Sequence, residues 1–139
     1  MASTILFADN DAAFLKTRAK FLEKEGYKVV PAGTFTEARR ILEQAVVDLA
    51  ILDLRLNDDD DDKDISGLTL AKETSSTIPK VILTNFPTIE AVREALGPNS
   101  DGIPSAVAFV SKQEGPEAML RAVRRALEFG GHWFRNTQR

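Results

Sequence analysis

Five short aliphatic runs recur along the chain: Ile5-Leu6-Phe7-Ala8, Lys28-Val29-Val30, Leu49-Ala50-Ile51-Leu52, Val81-Ile82-Leu83 and Val107-Ala108-Phe109-Val110. They show almost no polar alternation. Strands of that kind are covered on both faces, as in a parallel sheet. The stretches between them have helical period. Leu15, Ala19 and Leu22 form one stripe, and Gly26 stands where that helix would stop. Ala38, Ile41, Leu42 and Ala45 form a second, preceded by Thr34 and Glu37 at capping-box spacing. Leu68 and Ala71 mark a short third helix after Ser66; Ile89, Val92 and Leu96 mark a fourth. Leu120, Val123 and Leu127 make a fifth, with Pro116 at a first-turn position. Strand then helix, repeated throughout, predicts a doubly wound α/β fold around a five-stranded parallel sheet. In such sheets the site lies at the carboxyl ends of the strands.

The residues at those ends are chemically coherent. Asp9, Asn10 and Asp11 follow the first run, Asp53 the third, Thr84 the fourth, and Ser111 and Lys112 the fifth. Carboxylates gathered on one rim repel each other, and a divalent cation relieves the repulsion. Mg²⁺ prefers oxygen ligands and takes one or two carboxylates together with phosphate oxygens. An aspartate there can attack phosphorus. Lysine supplies a point charge for phosphoryl oxygens, and threonine a hydrogen bond. The expectation is a Mg²⁺-dependent phosphoryl-accepting site.

Four segments carry a resemblance. Ile5 to Asp11, Asp48 to Leu56, Val81 to Thr84 and Phe109 to Lys112 resemble, in order and spacing, the signatures of response regulator receiver domains of two-component signalling. The resemblance covers about Thr4 to Glu128 and implies a flavodoxin-like (βα)5 fold with strand order 2-1-3-4-5. It implies Asp53 as phosphoacceptor, with Mg²⁺ held by Asp9, Asn10, Asp53 and the backbone carbonyl of Arg55. It further implies that Thr84 and Lys112 bind the phosphoryl group and that Phe109 is the switch aromatic. A histidine kinase or phosphotransfer protein would be the donor, with a protein-interaction surface as output. Such a domain is a phosphoacceptor that assists its own phosphotransfer and dephosphorylation, not an enzyme with a separate substrate.

The chain departs from that pattern in places. Asn10 stands where an acid is usual, which predicts weakened Mg²⁺ binding, with Asp11 as a candidate to compensate. Asn85 follows Thr84 where a small residue is usual and would narrow access to the phosphoryl group. Gln113 follows Lys112 where proline, commonly in a cis bond, is usual. Gly67 matches a family glycine near the start of the third helix. The segment Asn57 to Asp64 holds six Asp and one Lys. Such a block is normally a solvated loop; a second cation site at Asp58 to Asp62 is the sharper reading.

Composition bounds the rest. A chain of 139 residues suits one domain, expected over 1–129 with a tail or linker over 130–139. There are no cysteines, which excludes disulfides and thiolate metal sites. A net charge of −3 argues against nucleic acid as the partner of this domain. The absence of a long apolar stretch predicts no membrane span and a cytoplasmic setting. His132 lacks the surroundings of a phosphodonor, whereas Trp133 and Phe134 are candidates for docking the tail or for a homodimer contact. Arg121, Arg124 and Arg125 could meet acidic partners. Two other functions compete: a pseudo-receiver that binds partners without phosphorylation, and a haloacid-dehalogenase-like phosphatase using Asp9 as nucleophile and Asp11 as acid/base.

Overall fold

The structure, a computed structural model, describes residues 2–44, 46–98 and 102–137, without the side chains of 129–137. Five parallel strands, β1 (Thr4–Ala8), β2 (Lys28–Ala32), β3 (Leu49–Asp53), β4 (Lys80–Thr84) and β5 (Ala108–Ser111), form one sheet in the order β2-β1-β3-β4-β5. Helices α1 (Ala12–Lys24), α2 (Phe35–Glu43), α3 (Ser66–Glu73), α4 (Ile89–Leu96) and α5 (Pro116–Thr137) connect and follow them. This is the flavodoxin-like arrangement expected.

Alternation along the strands divides the core into two layers. Leu6, Ala8, Ala50, Leu52 and Ile82 face α2, α3 and α4, meeting Ala38, Leu42, Leu68 and Ala95. Ile5, Phe7, Leu49, Ile51, Val81 and Leu83 face α1 and α5, meeting Leu15, Leu22, Met119 and Val123. Every residue of β3 and β4 is buried, which is why those runs contain no polar alternation. The helix boundaries follow local chemistry. Thr34 Oγ1 accepts the Glu37 N–H at 3.2 Å at the start of α2, and α1 gives way to Gly26 at φ +100°.

β2 lies at one edge of the sheet and contains Pro31. The Ala32 carbonyl turns inward and accepts the Asp9 N–H at 3.0 Å. Its neighbour Pro31 therefore presents its backbone to the free edge, where a missing N–H leaves no ladder bond broken.

The apolar stripe read into α4 needs correction. Ala91 and Ala95 are the buried residues of that helix, whereas Ile89 is 71% and Leu96 40% exposed. The small side chains let the helix approach the sheet closely, and the large ones are left outside. No described helix is long and apolar enough to cross a membrane. The backbone of α5 runs to Thr137. The side chains of His132, Trp133 and Phe134 lie outside the described residues, as does Ala45 of the α2 stripe.

Candidate functional site at the carboxyl ends of the strands

β1 and β3 are adjacent, so Asp9, just beyond Ala8, and Asp53, the last residue of β3, come together. Both are 1% exposed. Lys112 begins the 3₁₀ turn Lys112–Glu114 after β5 and reaches across to them, its Nζ 2.7 Å from Asp9 Oδ2 and 3.7 Å from Asp53 Oδ2. Asp9 Oδ1 is used locally, accepting the Asp11 N–H at 2.9 Å. Asp9 Oδ2, Asp53 Oδ2 and Asn10 Oδ1 are buried and accept no well-directed hydrogen bond, the first two facing Lys112 only as ion-pair partners. Buried oxygens left this way are costly, and two of these belong to carboxyl groups.

The electrostatics express the same crowding. Burial, reinforced by the neighbouring Asp9 charge and only partly offset by Lys112, pushes the Asp53 carboxyl up to about 8. A cation inverts that logic, because it favours the ionised form of every carboxylate facing it. The unsatisfied oxygens of Asp9, Asn10 and Asp53 therefore fit a hard, oxygen-seeking ion such as Mg²⁺. Among the described residues, no three His, Cys, Asp or Glu side chains are arranged to hold a metal between them. The third side-chain oxygen is accordingly the amide of Asn10.

Asn10 also makes a contact of its own. Its Nδ2 donates to the Arg55 carbonyl at 3.2 Å, so the backbone oxygen expected as a metal ligand is held by the Asn10 amide. Asp11 does not supply the acid missing at Asn10. It is the N-cap of α1, its Oδ1 accepting the Phe14 N–H at 3.1 Å, and it is exposed.

Thr84 ends β4, fully buried, and its hydroxyl accepts the Phe86 N–H at 3.0 Å. Phe109 is half-buried on β5 and packs against the α2–α4 layer. Asn85 is exposed. The peptide joining Lys112 to Gln113 is trans. In place of a proline, a capping box shapes this turn: Ser111 Oγ accepts the Gln113 N–H at 3.3 Å, and Glu114 Oε2 accepts the Ser111 N–H at 2.8 Å.

Several contributors were not legible beforehand. The Phe14 ring lies 4.4 Å from Lys112 Nζ on one side and 4.6 Å from the Arg18 guanidinium on another, steadying the lysine by cation–π attraction. Phe14, in the first turn of α1, meets Phe7 of β1 edge-on, at 6.3 Å between ring centroids. The side chain of Arg55 stacks on Phe86 at 3.7 Å and donates to the Asp59 carbonyl at 2.8 Å. Gly67 is pressed against the end of β3. A Cβ there would stand 2.0 Å from the Asp53 carbonyl oxygen, and the Gly67 N–H already donates to Leu54 O at 3.0 Å. A glycine at the mouth of α3 was the only sequence signal for this contact.

Comparison with known proteins agrees with this geometry. The family described as the response regulator receiver domain matches residues 5–124. The transcriptional regulatory protein GlrR of Escherichia coli is 32% identical over 89% of this chain, and the response regulator GtcR of Aneurinibacillus migulanus is 32% identical over 93% of it. The chain spans about a quarter (26%) of GlrR and about half (51%) of GtcR. Among solved structures, a CheY-like receiver domain protein from Methanospirillum hungatei superposes with a TM-score of 0.79 at 24% identity, covering 95% of this chain and 98% of its own. The chain belongs to the response regulator receiver domain family and is a receiver of two-component signalling.

Proposed function

We propose that Asp53 accepts a phosphoryl group from a histidine kinase or phosphotransfer protein and that the charge gained there switches a protein-contact surface. The observation that carries this reading is the trio of buried, unsatisfied oxygens on Asp9, Asn10 and Asp53 beside the Lys112 ammonium. A phosphoryl group with its counter-cation would satisfy them, where the single Lys112 ammonium leaves them without a well-directed hydrogen bond.

In the proposed step an Asp53 carboxylate oxygen forms a bond to phosphorus while the bond from phosphorus to the donor atom breaks, the electron pair leaving with the donor. The product is an acyl phosphate. Mg²⁺, held by Asp9, Asp53, Asn10 Oδ1 and the Arg55 carbonyl, would neutralise charge on the transferring group. Lys112 pairs with a phosphoryl oxygen, held in line by Phe14. Thr84 gives up its bond from the Phe86 N–H to donate to another oxygen. Phe109, packed against the α2–α4 layer, follows the movement of Thr84, and the equilibrium between the two arrangements shifts. The output surface is a protein contact on α4, β5 and α5, where Ile89 and Leu96 are exposed. On this reading the domain works in the cytoplasm and catalyses nothing beyond its own phosphotransfer and dephosphorylation.

A second reading, a binding module independent of phosphate, draws on the neutral Asn10 and its bond to the Arg55 carbonyl. The phosphatase reading loses its acid/base, because Asp11 caps α1.

Intact-mass spectrometry after incubation with acetyl phosphate tests the proposal. One added phosphoryl group that requires both Mg²⁺ and Asp53 is expected, and Asp53→Asn or removal of Mg²⁺ abolishes it. A gain that persists in Asp53→Asn overturns the assignment, and no gain with either acetyl phosphate or a panel of phosphorylated histidine kinases favours the binding module.

A further inference from the structure

The acidic loop is not uniform. Asp58 Oδ1 accepts the Asp60 N–H at 3.0 Å, and Asp61 Oδ1 accepts the Lys63 N–H at 2.9 Å. Asp64 accepts from Asn57 N at 3.0 Å, Asp58 N at 2.6 Å and Ser66 N at 2.8 Å. Those carboxylates fold the loop on itself, which accounts for them without a second cation site. Asp60 and Asp62 are exposed.

Asp59 behaves differently. Its carbonyl is held by the Arg55 guanidinium, which is itself clamped on Phe86. The residue is half-buried, and its carboxyl interacts with that of Asp53 and lies in the fields of Lys112, Asp9 and Asp11. The loop thus delivers one acid, out of six, to the rim where Asn10 contributes none.

We propose that Asp59 is the third carboxylate of the cation site, replacing the charge absent at Asn10 and acting on a bound divalent cation through its field and through cation-bound water. Direct coordination is not required, and no described trio of acidic side chains is arranged for it. Mg²⁺ dehydrates reluctantly and keeps several waters, each needing an acceptor. Three carboxylates then balance a divalent cation together with the Lys112 ammonium, where two would leave the site with an excess of positive charge.

The inference rests on the divalent-cation reading of the site, and the test separates the two. Mn²⁺ binding to the full chain is followed by the electron paramagnetic resonance of the free ion, with Mg²⁺ as competitor, and thermal unfolding confirms that each variant is folded. Asp59→Asn is expected to weaken binding about tenfold, in the range seen when groups beyond the direct ligands are removed. Asp60→Asn removes the same net charge from the exposed part of the loop and should leave affinity unchanged. Asn10→Asp added to Asp59→Asn should restore it. Unaltered binding by Asp59→Asn, or an equal loss in Asp60→Asn, overturns the role of Asp59 while leaving the cation site standing. Failure of the unsubstituted chain to bind Mn²⁺ at all overturns the cation site itself, and the inference with it.

Discussion

Two lysines are buried at opposite ends of the same sheet, and they are accommodated in different ways. Lys112, past the carboxyl end of β5, is 6% exposed and lies between two carboxylates and an aromatic face. Lys80, at the amino end of β4, is 2% exposed and among the described residues has no carboxylate partner. Its ammonium donates to the carbonyls of Thr74 and Ser75, just past the end of α3, where the helix dipole is negative. Burial pushes Lys80 down to about 8. The carboxyl end of the sheet therefore holds more acids than bases, and the amino end holds a base supported, among the described residues, by backbone dipoles. Ionic chemistry is concentrated at one end; at the other, charge serves structure.

Removing Lys112 tests that contrast most severely. Lys112→Met leaves Asp9 and Asp53 facing each other in a buried site, and a loss of about 3–5 kcal/mol in urea unfolding is expected in metal-free buffer. Millimolar Mg²⁺ should recover part of it, because the cation takes over the neutralisation. An equal loss with and without Mg²⁺ would break the idea that this end awaits positive charge.

Gly67→Ala ranks next, at about 3 kcal/mol, since the added carbon must push α3 away from the Asp53 carbonyl. Because the displaced group belongs to the proposed acceptor, phosphoryl uptake from acetyl phosphate should fall more than stability alone accounts for at temperatures where the variant is folded.

Lys80 offers a test by pH. Its folded pKa of about 8 lies below the ordinary 10.5, so from about 8 to 10.5 the unfolded chain holds more protons than the native one. The burial penalty is therefore fully present below pH 8 and is relieved as pH rises toward 10.5. Relative to Lys80→Met, the natural chain should gain on the order of 2 kcal/mol between pH 7 and pH 10 in denaturant unfolding. A difference that does not change with pH would mean that Lys80 has found an acidic partner after all.

The smallest effect is expected at Ile89, which belongs to neither buried end. Ile89→Ser should change stability by less than about 0.5 kcal/mol. A larger loss in chemical unfolding would show that the α4 surface is covered in solution.

The fold was readable because buried parallel strands leave a strong signature: five aliphatic runs placed Asp9, Asp53, Thr84 and Lys112 at strand ends without any contact being known. What pairs across space was harder to read. In α4 the two alanines bury while the isoleucine faces water, since hydrophobicity alone does not say which spacing a close helix–sheet approach requires. In the acidic loop, adjacent aspartates look alike in sequence; only the grip of Arg55 on one carbonyl selects Asp59. Phe14 reads as an ordinary core residue of α1 until the turn after β5 brings Lys112 onto its ring. Lys80 is embedded in an aliphatic run, and its burial depends on where α3 happens to end.

The proline on β2 has a consequence for how copies of this domain meet in a crowded cell. A five-stranded open sheet has two raw borders, and each is a template on which another extended chain can grow. Pro31 takes a donor away from one border, and the exposed Lys28 places a charge beside it. Growth of the sheet is thereby discouraged on the β2 side, which leaves β5 the less guarded border. The chain is in that sense polarised against aggregation, with one flank blunted by a single imino acid.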